Sequence, residues 1–465
     1  MHLLLVISPL HAATVQVTPG DDWCGAIRAA APGDTVTLAP GDYAGPCTID
    51  HGGTEGAPVV VAAQDPAAPP HIVYTGASSN VIDVLVSDVT LRGLAFGPTQ
   101  ADIDAVKIKA GSRVTVEDCT FSEVGGISVS ANSADGDANA VLGCAFLDLQ
   151  ATGLYFGCHD GTCVQSQVRI EDNVFDGVTS SAVGYALEIK LDSWGTVARN
   201  AIRNTKGPGI EIYGSRDGSV TSMVEQNLVY GGESGAIEIG GGPAIVRNNI
   251  VIGAGGGGIV SYDYGGRGLV SGVHIVGNTA IGEGGPAFST SGWQAGADLE
   301  LRDNAGLQRD GGAALPDAIE GIPMDGNVTC GAACFVDAEA LDLWPAPEGE
   351  LVDAAVPTEA SLETDFCGRP RGDAPDVGAF EASAGADPGA LAFGAWADRA
   401  CGADDSGGDD SGDTGVTPVA AGCGCAASAP TAPYGAFTSL PALAALGFLR
   451  RRRSATSTST SGNVG

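Results

Sequence analysis

Basic residues are scarce in this chain. Only four lysines occur in 465 residues (Lys107, Lys109, Lys190 and Lys206), and Lys plus Arg total 22 against 56 Asp plus Glu, a net charge of −34. Without a basic footprint the surface has nothing to engage phosphates, which excludes nucleic acid as a partner. Charged residues of both signs make up 17% of the chain, below the roughly 25% of ordinary domains. The Leu framework of leucine-rich repeats is missing, and no HExxH motif occurs. No Asn-Thr-Asp, Gly-His-Gly or Asp-Asp pair falls between residues 80 and 310, which counts against hydrolytic attack on a pectin-like chain. His159 and His274 stand alone in the sequence.

Glycine, by contrast, is abundant at 71 residues. With short Val/Ile segments and dense turn signals it reads as an all-β architecture. Twelve cysteines suit an oxidising compartment. Cys24 with Cys47, Cys158 with Cys163, and Cys330 with Cys334 are candidate loop-closing disulfides, although spacing alone leaves connectivity open. They lack the second C-x-x-C or His pair of a zinc site.

Between residues 80 and 310 one pattern recurs: an alternating apolar segment, a small polar residue, two more strand residues, then Gly. Aligned on the polar residue it gives Cys119, Cys144, Asn173, Asn200, Asn227, Asn249, Asn278 and Asn304, at steps of 22 to 29 residues. Such a period marks a solenoid. Each rung supplies strands that cannot bury an apolar face alone, and stacking at about 4.8 Å buries one continuous core. An inward Asn at each corner can bond its neighbours through the stack, a structural role and not a chemical one. Cys119 and Cys144 would be adjacent in that column, as stacked thiols or a disulfide. Trp23–Ala31 reads as a short amphipathic helix capping the core, followed by a first strand at Thr35–Leu38.

The two ends read differently. Leu3 to Ile7 followed by Ser8-Pro9-Leu10-His11-Ala12 reads as a secretory signal over residues 1–13. Ala403 to Gly415 is an Asp/Gly/Ser-rich acidic spacer. Beyond it come Cys423 and Cys425, an apolar stretch from Tyr434 to Leu449, and Arg450 to Arg453. Sixteen apolar-leaning residues are short for a span, which prefers about 20. The order Cys, apolar segment, Arg cluster resembles the MYXO-CTERM type of sorting tail. The resemblance implies a protein delivered to the cell surface or outer membrane, with Cys423 or Cys425 as the processing or lipid-attachment point; an ordinary transmembrane anchor is the alternative. The membrane would be engaged through this tail alone.

Residues Asp21 to Gly45 resemble the opening segment of bacterial right-handed β-helix proteins, including the alginate lyase and chondroitinase B group. Asp365-Phe-Cys-Gly-Arg-Pro-Arg371 and Asp376-Val-Gly-Ala-Phe-Glu381 resemble the closing motif of surface β-helix proteins. Arg371-Gly372-Asp373 falls inside that motif and reads as structural, not adhesive. The expected fold is an all-β, right-handed parallel β-helix solenoid with a short N-terminal capping helix, a disordered acidic linker and a C-terminal anchor segment. Its organisation would be signal 1–13, cap and first rungs 14–80, repeats 81–310, closing segment 311–382, linker 383–422, sorting tail 423–453 and terminal tail 454–465, as a monomer.

A second alignment runs one strand ahead of the Asn column: Val106-Lys-Ile108, Ile127-Ser-Val129, Leu154-Tyr-Phe156, Leu187-Glu-Ile189, Ile210-Glu-Ile212 and Ile237-Glu-Ile239. Alternation turns the middle residues outward, which puts Glu188, Glu211 and Glu238 in one column about 5 Å apart. Like charges so spaced need a partner: a cation, Lys190 or Arg216. The resemblance to the alginate lyase group implies calcium held by Glu188 and Glu211, extended by the column to Glu238, with Lys190 as base and Arg216 as assisting cation. The reaction would be β-elimination beside a uronate carboxylate. Tyr155, Tyr185, Tyr213 and Trp194 would stack against sugar rings, with a polysaccharide or cell-surface glycan as partner. The alternatives are a solvated salt-bridge ladder on that face, and a non-catalytic structural or adhesive solenoid.

Overall fold

The computed structural model describes residues 12–179, 184–253, 255–385 and 387–394. The chain divides into two units, residues 1–410 and 411–465, and every described residue belongs to the first. Most of the signal, most of the acidic linker, and Cys423 and Cys425 lie outside the described residues.

The chain winds into a right-handed parallel β-helix with three faces. One rung shows the path. Val168–Glu171 lies in sheet 1, Val174–Val178 in sheet 2 and Leu187–Ile189 in sheet 3, and Gly195–Ala198 returns to sheet 1 one level on. Sheet 1 stacks twelve strands from Thr14–Val17 to Leu299–Arg302, and sheet 2 twelve from Asp42–Ala44 to Val328–Cys330. Sheet 3 stacks ten from Cys47–Ile49 to Phe288–Thr290. Alternation sends one side of every strand inward, and in-register stacking lines like residues into columns. Phe96, Phe121, Phe146 and Phe175 stack through the core at 4.9, 4.9 and 4.4 Å between centroids.

The corner between sheets 1 and 2 explains the repeat. The residue before each column member is left-handed: Asp118, Asp172, Arg199, Gln226, Asn248 and Asp303 have φ between 50° and 62°. This conformation costs an L-residue about 1–2 kcal/mol, and the bonds of the next residue offset it. Asn200 Oδ1 accepts from both the backbone N–H and the Nδ2 of Asn173, at 3.1 and 2.9 Å. The same pair of bonds recurs from Asn200 to Asn227, Asn249, Asn278, Asn304 and Asn327. Asn327 extends the column one rung beyond the sequence alignment. At the other end Cys119 and Cys144 are free, buried thiols, and the Cys119 N–H points at Cys144 Sγ at 3.4 Å.

The capping helix covers Trp23–Ala29, with Asp22 as N-cap accepting from the Gly25 N–H. It ends two residues before the expected Ala31, because Pro32 disfavours helical geometry in the residue ahead of it. A strand that the sequence reading did not anticipate, Thr14–Val17, pairs with Thr35–Leu38 and forms the edge of sheet 1. The disulfides Cys24–Cys47, Cys158–Cys163 and Cys330–Cys334 are all formed.

The closing segment is more than a lid on the last rung. It folds back along the outer face of sheet 2, where Phe366, Val377 and Phe380 pack against Leu228, Ile250, Ile281 and Leu307 in a second apolar cluster. Arg371 is spent on this attachment, donating to Asn248 Oδ1 at 3.0 Å and to the Gly378 carbonyl at 2.7 Å. The Arg-Gly-Asp tripeptide is therefore structural.

Candidate functional site

The outer column of sheet 3 runs in register through Asp83, Lys107, Ser130, Tyr155, Glu188, Glu211 and Glu238. Three of the four lysines stand on this face. Lys109 pairs with Asp83 at 2.7 Å and Lys107 with Asp104 at 3.1 Å. Lys190 pairs with Glu188, two residues before it on the same strand exit.

The carboxylates point away from the core, yet they are not solvated. Glu188 is 2% exposed, Glu211 0% and Lys190 3%, which corrects the expectation of a solvated ladder. Tyrosines cover them. Lys190 Nζ lies 4.0 Å from the Tyr213 ring centroid, 4.4 Å from that of Tyr155 and 5.7 Å from that of Tyr185, a cage in which ring quadrupoles stabilise the ammonium. The Tyr213 hydroxyl donates to Glu188 at 2.9 Å, and the Tyr262 hydroxyl to Glu211 at 3.3 Å. Glu238 accepts from the Ser234 hydroxyl and the Gly235 N–H.

Burial sets the protonation here. It pushes the Glu188 carboxyl up and the Lys190 ammonium down, each opposed by the attraction of the other. Burial first, and then repulsion from and a hydrogen bond with Glu238, lift the Glu211 carboxyl well above its usual range. The neutral form of the Glu211 carboxyl is thereby favoured, as it is for a buried acid beside another carboxyl. Desolvation likewise pushes the Tyr155 and Tyr185 hydroxyls up to about 12.

This arrangement does not suit calcium. Among the described residues no three His, Cys, Asp or Glu side chains are grouped to hold a metal ion. Lys190 and Tyr213 both engage Oε2 of Glu188, and the Tyr262 hydroxyl reaches both oxygens of Glu211, so a buried ammonium already meets the carboxylate that a hard cation would need. Lys190, the expected base, is sealed beneath the rings. Arg216, its expected assistant, turns instead to a salt bridge with Asp192. Trp194 makes no ring contact with the tyrosines among the described residues. Trp293 is buried in the main core with its indole N–H on Ser261, and Tyr230 lies under the closing side, its hydroxyl donating to the Leu391 carbonyl.

Two loops that the sequence reading did not assign complete the site. The first, Tyr262 to Gly268, turns back through left-handed Gly265 and Gly266, with Asp263 Oδ1 accepting from the Gly268 N–H. It lays Tyr264 edge-on to Tyr213 at 4.5 Å and the Arg267 guanidinium over Tyr264 at 4.7 Å. Arg267 forms no ion pair or hydrogen bond among the described residues, and its Nη1 is buried without a partner. The second loop is closed by Cys158–Cys163 and carries His159. Gly161 passes so close to the Arg216–Asp192 pair that a Cβ there would lie 2.6 Å from both side chains. His159 meets the Tyr213 and Tyr264 rings edge-on at 5.9 and 6.1 Å. Burial, Lys190 and Arg267 push its imidazole below the usual range, which favours the neutral form. His274 takes no part; it bridges Asp298 and Glu300. The signals available were a histidine inside a short Cys-to-Cys loop, and the spacing Tyr-Asp-Tyr-Gly-Gly-Arg.

Comparison with known proteins agrees with the architecture. The family model for a right-handed β-helix region matches residues 104–280. No curated protein sequence matches the chain. Among solved structures, XylC in complex with xylose superposes with a TM-score of 0.52 at 10% identity, covering 79% of this chain and 98% of that one. Pectate lyase Pel9A gives 0.45 at 16% identity, covering 79% and 96%. A PL6 family polysaccharide lyase from Pseudopedobacter saltans gives 0.42 at 14%, covering 78% and 99%. At these identities the likeness is one of fold: the chain is a right-handed parallel β-helix.

Proposed function

We propose that the outer face of sheet 3 binds an acidic polysaccharide, with sugar rings on the tyrosine platform and a sugar carboxylate on Arg267. The observation that carries this reading is the unpartnered guanidinium. In a chain of net charge −34, an arginine beside a sealed carboxylate column would be expected to find an acidic partner in the protein. Arg267 instead rests on a ring, half-buried and without an acidic or hydrogen-bonding partner among the described residues, so its accessible N–H groups are free for an acceptor from solvent. A planar carboxylate matches its fork, and the half-buried faces of Tyr155, Tyr185, Tyr262 and Tyr264 offer stacking surface beside it. The disulfides named above favour a site of action outside the cytosol, and with the signal and tail residues they support a location at the cell surface.

Affinity electrophoresis in alginate, polygalacturonate or chondroitin sulfate gels tests the reading, with neutral xylan as control. Retardation by at least one acidic polymer is expected, and Arg267→Gln should weaken it roughly 10-fold or more, the size of a lost charge-assisted bond. Absence of retardation by every acidic polymer would leave the solenoid as a structural or adhesive spacer. Cleavage of the bound chain by β-elimination is a second reading, favoured by the unbonded His159 beside Arg267.

A further inference from the structure

We infer that His159, Tyr264 and Arg267 form a metal-independent β-elimination centre, with the Cys158–Cys163 loop holding the base over the platform. This rests on the reading that the face binds a uronate polymer. Three observations converge. Neither ring nitrogen of His159 makes a hydrogen bond among the described residues, and the residue is exposed at the rim of the platform. The Tyr264 hydroxyl is also without a protein partner among the described residues, unlike those of Tyr213 and Tyr262, which are tied to carboxylates. Arg267 lies against Tyr264, and Tyr264 against His159, so the three groups share one patch on which a bound carboxylate and its neighbouring ring carbon would meet both imidazole and phenol.

The chemistry then balances without a co-reactant. Arg267 neutralises the uronate carboxylate, which acidifies the C5 proton beside it. A nitrogen of His159 removes that proton, and the C5–H electron pair forms the C4–C5 double bond. The C4–O bond to the neighbouring sugar breaks, and its oxygen takes the proton of the Tyr264 hydroxyl. Proton transfer from imidazolium to phenolate, whose rings lie 6.1 Å apart centre to centre, restores both groups. The charged groups facing His159 are Lys190, Arg267 and Asp160, and the two cations favour its neutral form. Lys190 and Glu188 are positioning residues in this scheme, anchoring Tyr213 beneath both rings.

The test uses the purified protein with the acidic polymer that retards it, following ultraviolet absorbance of the unsaturated product with and without a chelator. Product should form equally with chelator present. The midpoint of the rise in turnover with pH should fall below 6.5, as expected for a base with a lowered pKa. His159→Asn, an exposed substitution that leaves the fold intact, should lower turnover roughly 10²–10⁴-fold while gel retardation changes by less than about twofold. Tyr264→Phe should lose turnover with retardation kept. Retardation without product, product abolished by chelator, or full turnover in His159→Asn would each overturn the centre and leave the binding reading standing. No retardation by any polymer would overturn both.

Discussion

On the outer face of sheet 2, Leu228, Ile250, Ile281 and Leu307 lie under Phe366, Val377 and Phe380. On the outer face of sheet 3, Glu188, Glu211 and Lys190 lie under a layer of tyrosines. Both faces are covered, but only the first cover is driven by the hydrophobic effect. Its apolar columns lose water when the closing segment docks, at about 25 cal/mol per Å² buried. The second cover shuts charged groups away from water, which costs free energy unless each is paired. A chain can carry such a column without a ligand only when its charges cancel internally, as the Lys190–Glu188 pair and the raised carboxyl of Glu211 allow. The difference separates a face closed by apolar burial from one closed over paired charges.

The largest expected effect is on the apolar side. Phe380→Ala should destabilise the fold by about 3–5 kcal/mol in denaturant unfolding, and no second substitution on sheet 3 should restore it. Lys190→Met should cost about 3–5 kcal/mol at most, since it strands Glu188 in a buried site. Adding Glu188→Gln should recover most of that loss. Failure of the double variant to recover would mean that the cover of sheet 3 depends on the ion pair itself and not on charge cancellation.

A smaller effect concerns pH. The folded-state pKa of Glu211 is raised, so the folded form binds its proton where the unfolded chain has released it. Its contribution is complete below the usual 4.5 and falls as pH rises toward the higher folded value. Melting temperature measured from pH 4.5 upward should therefore decline more steeply for the wild type than for Glu211→Gln. Equal slopes would show that the proton on Glu211 does not hold this face together.

Much of this was legible in the sequence, and the physical reason is periodicity. The spacing of Asn173, Asn200, Asn227, Asn249, Asn278 and Asn304 exposes the rung because each rung repeats the same corner. Alternation in Leu187-Glu-Ile189 and its neighbours shows which side chains leave the core. Alternation cannot show whether something covers them, so Glu188 and Glu211 read as solvated when they are sealed. The same limit hid the two groups proposed for binding and catalysis. His159 and Arg267 lie on loops between strands, where no period operates and a fold-back through Gly265 and Gly266 decides what meets what. Arg216 takes the part of assisting cation only through the family resemblance; in the fold Asp192, two residues beyond Lys190, binds it.

The Asn corner also shapes how such a chain can change over generations. Each sheet 1 strand ends two residues before its ladder Asn and each sheet 2 strand begins one residue after it, as in Glu171, Asn173 and Val174 or Arg302, Asn304 and Ala305. Every difference in step length, from 22 residues between Asn227 and Asn249 to 29 between Asn249 and Asn278, falls in the other two connections. A stretch from one ladder Asn to the next is thus a complete module with matching ends, so duplicating or deleting it joins identical geometries. The loops that carry His159 and Arg267 lie in the variable connections, free to be rewritten for another ligand while the corner keeps the count.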